Sequence, residues 1–148
     1  MLVLRNANNF DMLQYFSWVN DGLVRQNSIL IKPVDWAEHQ EWFKNKLNDK
    51  NCFLYLAENK QSKVGQVRFD CDKSEAELTY SISFNFRGQG LGEAMLKKAI
   101  EKFRQDYPSI KVITAQTRAT NTASNKILQA LDFIKQDITE AIISYKLI

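Results

Sequence analysis

The chain has 148 residues, and its 20 Lys and Arg against 17 Asp and Glu give a formal net charge of +3. Hydrophobic residues make up 45% of the sequence and charged residues 25%, which excludes wholesale disorder and fits one domain over residues 1–148. No Lys or Arg block marks a nucleic-acid-binding surface, and no apolar run approaches the ~20 residues of a membrane span. We therefore expect a protein that binds neither nucleic acid nor membrane.

Cysteine and histidine are too few for a closed zinc site. Cys52 and Cys71 match no zinc-binding spacing, and His39 is the only histidine. Both cysteines lie in apolar, strand-like runs, so we expect reduced thiols in a reducing compartment. The first ten residues lack the apolar core of a signal peptide. These features predict a cytoplasmic protein without a bound metal.

The first third of the chain is predicted to contain one strand and two helices. Residues 2–5 favour a strand, and residues 9–20 carry apolar side chains at helical spacing. The stretch from Asn20 to Ser28 is polar, and we expect it to be irregular. A second helix is predicted to begin after Asp35, its N-cap, with Glu38 placed to complete a capping box.

The hydrophobic period changes to two after residue 51. Strands predicted at residues 52–57, 64–71 and 75–84 are joined by short polar turns, which favours an antiparallel meander. The later predicted elements are a helix after residue 90, a strand at 112–117, a helix at 122–131, and strands at 133–138 and 141–147. The order β-α-α-β-β-β-α-β-α-β-β predicts an α+β domain with a mixed, mostly antiparallel sheet flanked by helices.

The turn at residues 87–92 carries the most information about function. Its three glycines leave main-chain amides uncovered, and the helix that follows adds unpaired N–H groups and the positive end of its dipole. Together these features predict a site for a phosphate or pyrophosphate. Glu93 and Ala94 stand where a P-loop has Lys and Ser or Thr, and a dinucleotide-binding turn would need a parallel βαβ unit. A glycine turn without a ligand is the plainer alternative.

Two motifs resemble one family. Arg87-Gly88-Gln89-Gly90-Leu91-Gly92 resembles the Gln/Arg-x-x-Gly-x-Gly/Ala signature of the GNAT N-acetyltransferases, which binds the pyrophosphate of acetyl-CoA. The segment from Asn121 to Phe133 is similar to that family's second cofactor segment, in which an Asn and a small residue three positions later contact the cofactor. The order of elements is also similar from end to end. The resemblance implies a GNAT fold and an N-acetyltransferase that uses acetyl-CoA.

The resemblance further implies how the coenzyme is held. The strand before the glycine turn is expected to diverge from the next strand, so that the pantetheine arm fills the gap like an extra strand. Main-chain amides near Ser83 would pair with this arm, and Ser83 is the expected donor to the thioester oxygen. The predicted cofactor-binding residues are Ile82, Ser83, Phe84, Arg87, Gly88, Gln89, Gly90, Leu91, Gly92, Asn121 and Ser124.

The cofactor motifs do not reveal the acid and the base. Many relatives carry a Tyr seven residues after the Asn, where this chain has Leu128. Relatives that acetylate protein N-termini can place a Glu five residues before it, where this chain has Gln116. Leu128 and Ser124 instead resemble the branch that contains ribosomal-protein and sugar-nucleotide acetyltransferases.

Three side chains remain as candidates for proton transfer. Glu77 lies on the polar face of the third meander strand and would work through water. His39 has an ordinary pKa of about 6.5 but lies on an apolar helix stripe. Tyr80 points to the apolar face of its strand, so core packing is favoured there. We predict Glu77 as the catalytic residue and His39 as the second candidate.

The acceptor is predicted from scattered positions. Scattered positions within residues 18–28, 39–43 and 65–70 resemble the amino-sugar nucleotide acetyltransferases of the pseudaminic-acid pathway. Asn20, Arg25 and Arg68 are therefore predicted to bind a small-molecule amine, with the two arginines on a nucleotide's phosphates or, alternatively, in surface ion pairs.

Three functions stay open at this point. The leading hypothesis is acetylation of the primary amine of an amino-sugar nucleotide by a monomer or homodimer. The alternatives are acetylation of a protein or peptide N-terminus and a non-catalytic acyl-CoA-binding module.

Overall fold

A computed structural model describes residues 1–29 and 32–148 of the chain. Its strands are β1 (Leu2–Asn6), β2 (Cys52–Asn59), β3 (Ser62–Asp72), β4 (Glu75–Ile82), β5 (Val112–Arg118), β6 (Ile134–Ile138) and β7 (Ile142–Leu147). Its helices are α1 (Met12–Val19), α2 (Gly22–Asn27), α3 (Trp36–Asn48), α4 (Leu91–Asp106) and α5 (Thr122–Ala130), and 3-10 turns cover Asn9–Asp11 and Phe84–Phe86. The strands form one sheet in the order β1-β2-β3-β4-β5-β7-β6.

The predicted fold class is confirmed. Across the described residues, neighbouring strands are antiparallel except for β4 and β5, which run parallel. The element order differs only by α2, which lies in the stretch predicted to be irregular. The Asp21 carboxylate accepts hydrogen bonds from the N–H groups of Leu23 and Val24 and so caps this six-residue helix. The sequence did not predict this helix, because residues 20–28 lack apolar side chains at helical spacing.

The two faces of the sheet pack against different helices. On β2, Tyr55 and Ala57 belong to the large core cluster that includes side chains of α4 and α5. Leu54 and Leu56 alternate with them and pack in a second cluster with aromatic side chains of α1 and α3. Each face therefore buries one half of the strand's side chains, as the period of two requires.

Both cysteines are free thiols. Burial raises the pKa of the Cys52 thiol to about 12, so this side chain packs as a small apolar group. No helix within residues 1–29 or 32–148 is both long enough and apolar enough to cross a membrane.

β4 and β5 are paired only near their N-terminal ends. Glu75–Glu77 lies in register with Val112–Thr114. Beyond that point β4 follows β3 as far as Ile82, whereas β5 follows β7 as far as Arg118. The two strands therefore diverge, and a gap opens between their C-terminal ends, as the resemblance implied.

Candidate functional site

The candidate site begins at the main chain of β4 along this gap. Successive residues of a strand point their N–H and C=O groups to opposite edges. The Ser83 N–H donates to the Val64 carbonyl of β3 over 2.7 Å, so it points away from the gap. This contact corrects the prediction of Ser83 as the donor to a ligand. By the same alternation the N–H groups of Tyr80 and Ile82 point toward β5, where the strands have separated.

The glycine turn leads from β4 into α4 and is open to solvent. Gly88 and Gly90 have φ angles of +76° and +74°, in the left-handed region that favours glycine. Gly90 is the N-cap of α4, and as a glycine it has no side chain of its own to accept a hydrogen bond from the first turn. A Cβ atom at either position would meet nothing within 4 Å. The geometry fits a turn that offers main-chain amides to an anion.

The other predicted residues of the turn divide into exposed and packed ones. The Gln89 side chain is exposed and donates to the Asn85 carbonyl over 3.3 Å. Leu91 packs against the large core cluster. Gly92 is buried, and a Cβ there would approach Ile127 Cδ1 of α5 to 3.0 Å. Leu91 and Gly92 therefore fix α4 against the core and α5, and only their main chain can face a ligand.

Arg87 is engaged with the protein itself. Its Nη2 lies 2.8 Å from Asp21 Oδ1 at the start of α2, and its Nε donates to the Ile82 carbonyl over 3.1 Å. The guanidinium also lies 5.9 Å from the centre of the exposed Phe84 ring. Arg87 thus connects the glycine turn to α2.

The second predicted segment lies across the gap from β4. The side-chain Oδ1 of Asn121 accepts from the Ser124 N–H over 3.2 Å and so caps α5. The buried Ser124 Oγ lies 2.7 Å from the Tyr80 hydroxyl of β4. This contact joins β4 to the start of the second predicted segment, between residues 44 positions apart in the chain.

Tyr80 is the functional candidate that sequence reasoning undervalued. Its position on the apolar face of β4 predicted core packing, and Tyr80 does pack against the large core cluster. At this end of β4, however, that face meets the polar start of α5, so the hydroxyl contacts Ser124. Burial raises the pKa of Tyr80 above its ordinary 10.0, so the phenol stays protonated at neutral pH and is suited to donate a proton.

Asn125 was missed altogether. Its Oδ1 accepts from the hydroxyls of Thr117 and Tyr145, each over 2.6 Å, and its Nδ2 donates to the carbonyls of Arg118 and Asn121 over 3.2 and 2.9 Å. Because buried amides need such partners, Asn125 fixes the start of α5 to the end of β5. An Asn one position after the motif Ser was the available signal.

The two predicted catalytic residues lie away from the gap. Glu77 is exposed where β4 and β5 still pair, and six strand residues at ~3.3 Å each put it about 20 Å from Ser83. His39 is 1% exposed among aromatic rings, and its Nε2 lies 3.0 Å from the Met12 carbonyl. Burial lowers the pKa of His39, so the ring is neutral near pH 7. The structure does not bring these two side chains to the glycine turn.

Two of the predicted acceptor-binding residues stabilise the connection between α1 and α3. The Asn20 side chain exchanges two 2.8 Å hydrogen bonds with the main chain of Val34. Arg25 donates to the carbonyls of Val19 and Lys32 over 2.6 and 3.0 Å. Both side chains therefore hold α2 and its flanks in place.

The third, Arg68, belongs to a charged cluster on β3 and α3. Arg68 Nε and Lys46 Nζ lie 2.7 and 2.6 Å from the two oxygens of Asp70. The Arg68 guanidinium also lies 5.1 Å from the centre of a Trp42 ring. Two cations share one carboxylate here, so the cluster keeps a net positive charge.

Comparison with known proteins places this geometry in a family. The family model described as an acetyltransferase (GNAT) domain matches residues 1–134. No curated protein matches the sequence significantly. The resemblance to the GNAT family is thus confirmed by a match over most of the chain.

Solved structures share the fold at low sequence identity. The spermidine N-acetyltransferase of Vibrio cholerae, in complex with CoA and spermine, has a TM-score of 0.87 and 14% identity, over 99% of this chain and 94% of that one. The ribosomal-protein-alanine N-acetyltransferase of Brucella melitensis has a TM-score of 0.82 and 21% identity, over 99% of both chains. An N-acetyltransferase of Staphylococcus aureus Mu50 has a TM-score of 0.82 and 19% identity, over 99% and 98% of the two chains. At these identities the likeness establishes the fold.

Proposed function

Because the chain belongs to the GNAT acetyltransferase family, we propose that it transfers an acetyl group from acetyl-CoA to the primary amine of an amino-sugar nucleotide. Family membership makes the protein an acetyl-CoA-dependent N-acetyltransferase. The identity of the acceptor and the roles of individual residues are our inference from the site.

The observation that supports coenzyme binding is the combination of the gap with the open glycine turn. When bound, acetyl-CoA supplies the acetyl group as a thioester. Main-chain N–H groups around Gly88 and Gly90 would bind its pyrophosphate. The N–H groups of Tyr80 and Ile82, which face the gap, would donate to carbonyls of the extended arm. Asn121 and Ser124 would line the opposite side.

Proton transfer is assigned from geometry. In the transfer, the amine nitrogen bonds to the acetyl carbon as the carbon–sulfur bond breaks. Tyr80 would donate its phenolic proton to the departing thiolate, since it is protonated and lies beside the gap. The amine's proton would leave to water, and solvent would later reprotonate Tyr80. Glu77 would enter only through a chain of waters, and His39 would act only by supporting α1.

The observation that supports an amino-sugar nucleotide is the cluster of Lys46, Asp70 and Arg68. Arg68 projects from β3 toward β4, where its Nη2 lies 3.4 Å from Thr79 Oγ1. This polar face of β3 and β4 adjoins α3, opposite the face covered by α4 and α5. A positive cluster beside a tryptophan suits a phosphorylated acceptor with a planar base. It disfavours a polyamine, which would meet like charge.

The test is an acceptor panel. Free thiol released from acetyl-CoA is measured with a UDP-linked amino sugar, with spermine and with a peptide that has an N-terminal alanine. We expect turnover with the first and at least about tenfold lower kcat/KM with the others. Preference for the peptide or for spermine would contradict the proposed acceptor and leave the acetyltransferase assignment intact.

Lys46→Ala sharpens this test. Removing one cation should raise the KM for the sugar nucleotide about tenfold, because a charge-assisted phosphate contact is lost. The KM for acetyl-CoA should not change. Lys44→Ala is the matched control, because Lys44 is an exposed lysine on the same helix. Equal effects of the two variants would show that only the overall charge of the protein matters.

A further inference from the structure

Two arginines hold the two ends of α2. At its N-terminal end, Asp21 is bound by Arg87, which follows β4 and also donates to the last carbonyl of that strand. At the other end, Arg118 donates through Nε to the Ser28 carbonyl over 2.7 Å and through Nη2 to the Ile29 carbonyl over 3.0 Å. Arg118 is the last residue of β5. Each of the diverging strands thus supplies one arginine.

The length of α2 matches the gap that it crosses. Six helical residues rise about 9 Å at ~1.5 Å each. Neighbouring strands lie ~4.8 Å apart, so this length is close to two strand spacings. A helix held at both ends across two spacings keeps β4 and β5 far enough apart for one extended chain to lie between them.

The position of α2 also decides which side of the gap it covers. α1 and α3, which flank it in the chain, pack on the face of the sheet opposite to α4 and α5. The glycine turn leads into α4, so the predicted phosphate site and α2 lie at different sides of the same opening. Arg25 adds rigidity, because it binds α2 to the end of α1 and to Lys32.

From this arrangement we infer that Arg87 and Arg118 are positioning residues that hold α2 across the gap, where it forms one wall of the acceptor site. The inference rests on the proposed acetyl transfer but not on which amine is the acceptor. It gives Arg87 a role different from that of a phosphate ligand. It also gives Arg118, which no sequence motif singled out, a part in acceptor binding.

Arg118→Ala tests the inference. The variant loses both hydrogen bonds to Ser28 and Ile29, which directly follow α2, and the freed carbonyls can be solvated. With the amine of the panel that gives turnover, we expect the acceptor KM to rise about tenfold or more, whereas CoA affinity measured by calorimetry stays within about twofold. Amide hydrogen exchange of residues 22–27 should become faster, while exchange in α4 should not change.

Conservative variants separate positioning from folding. Arg118→Lys can donate to one carbonyl but lacks the planar fork, so its acceptor KM should be intermediate. Asp21→Asn keeps an N-cap oxygen for α2 but loses the charge that pairs with Arg87. This variant loosens the N-terminal end of α2 and should therefore also raise the acceptor KM. Arg104→Ala, on α4 away from the gap, is the control and should match the unaltered protein.

The outcomes are distinguishable. Parallel loss of acceptor and CoA affinity in Arg118→Ala would mean a general structural role and would overturn the inference. Faster exchange in α2 with an unchanged acceptor KM would overturn it as well. If the unaltered protein acetylates none of the three amines, the proposed acceptor fails. Hydrogen exchange then decides the inference, and unchanged exchange in residues 22–27 of Arg118→Ala would refute it.

Discussion

The two ends of the β4–β5 pair are built by different means. At the base, Glu75–Glu77 and Val112–Thr114 lie in register in a parallel ladder, so main-chain hydrogen bonds join the strands. At the open end, side chains replace the ladder: Arg87 and Arg118 reach α2, and Tyr80 reaches Ser124. The base needs only strand-forming residues, whereas the open end needs particular polar groups.

This difference explains where a site can form. A continuous ladder satisfies every main-chain N–H and leaves none for a ligand. Where the strands separate, the amides of β4 that face the gap become free to bind, and side-chain bridges keep the gap open. The geometry of the open end therefore depends on a few individual side chains. Substitutions there should therefore change binding or turnover more than stability, and substitutions of exposed residues at the base should change neither binding nor turnover strongly.

The largest effect is expected at the glycine turn. Asn tolerates left-handed φ angles better than most side chains, so Gly90→Asn should keep the turn conformation and the fold. Its side chain would enter the space where a Cβ meets nothing within 4 Å. We expect CoA to bind about 100-fold more weakly by calorimetry, as for the loss of two charge-assisted hydrogen bonds. Gly22→Asn, also in open space, should leave CoA affinity unchanged.

Unaltered CoA affinity in Gly90→Asn would contradict the assignment of the open end of β4 and β5 as the coenzyme site. A large fall in melting temperature would instead show that the turn contributes mainly to folding. Circular dichroism of both glycine variants distinguishes these cases.

Much of this architecture was accessible from sequence. The alternation along residues 52–84 predicted the meander, and the glycines predicted a turn with exposed main chain before the amphipathic helix α4. Both signals are local, because period and turn chemistry depend on neighbours in the chain. The helix α2 was not accessible, since its six residues are held by Asp21 and by two arginines that are distant in sequence.

The sequence also could not show which main-chain N–H group of β4 faces the gap. Motif spacing pointed to Ser83, but the edge to which an N–H points depends on the pairing register of β3 and β4. A shift of one residue in this register exchanges the two edges, and in the observed register the N–H of Ile82, not that of Ser83, faces the gap. Tyr80 is a similar case, because the apolar face of β4 meets a polar helix start only in the folded sheet.

A smaller effect is expected at Tyr80. Tyr80→Phe keeps the ring but removes the hydroxyl that contacts Ser124. We expect kcat to fall about 100-fold, as for loss of a general acid, with CoA affinity nearly unchanged and stability lower by about 1 kcal/mol. Because burial raises the pKa of Tyr80 above 10.0, the phenol is protonated throughout neutral pH, and its deprotonation should lower kcat only above about pH 10.

Tyr15→Phe is the control for that variant. The Tyr15 hydroxyl donates to the Tyr55 carbonyl over 3.3 Å, also in a buried setting but on the other face of the sheet. It should lower stability by a similar amount and leave kcat unchanged. If both variants lose turnover equally, Tyr80 contributes packing rather than a proton.

The smallest effect is expected at the base of the strand pair. Glu77 is exposed beside Thr114, Gln116 and Lys146 along a shallow pocket, about 10 Å of strand from Tyr80, three residues further on. Direct proton transfer over that distance is not possible, so Glu77→Gln should keep kcat within about twofold of the unaltered protein. The measurement is kcat across pH 6 to 9 with saturating acetyl-CoA. A loss as large as that of Tyr80→Phe would instead make Glu77 a base that acts through ordered water. The base and the open end of the strands would then form one site.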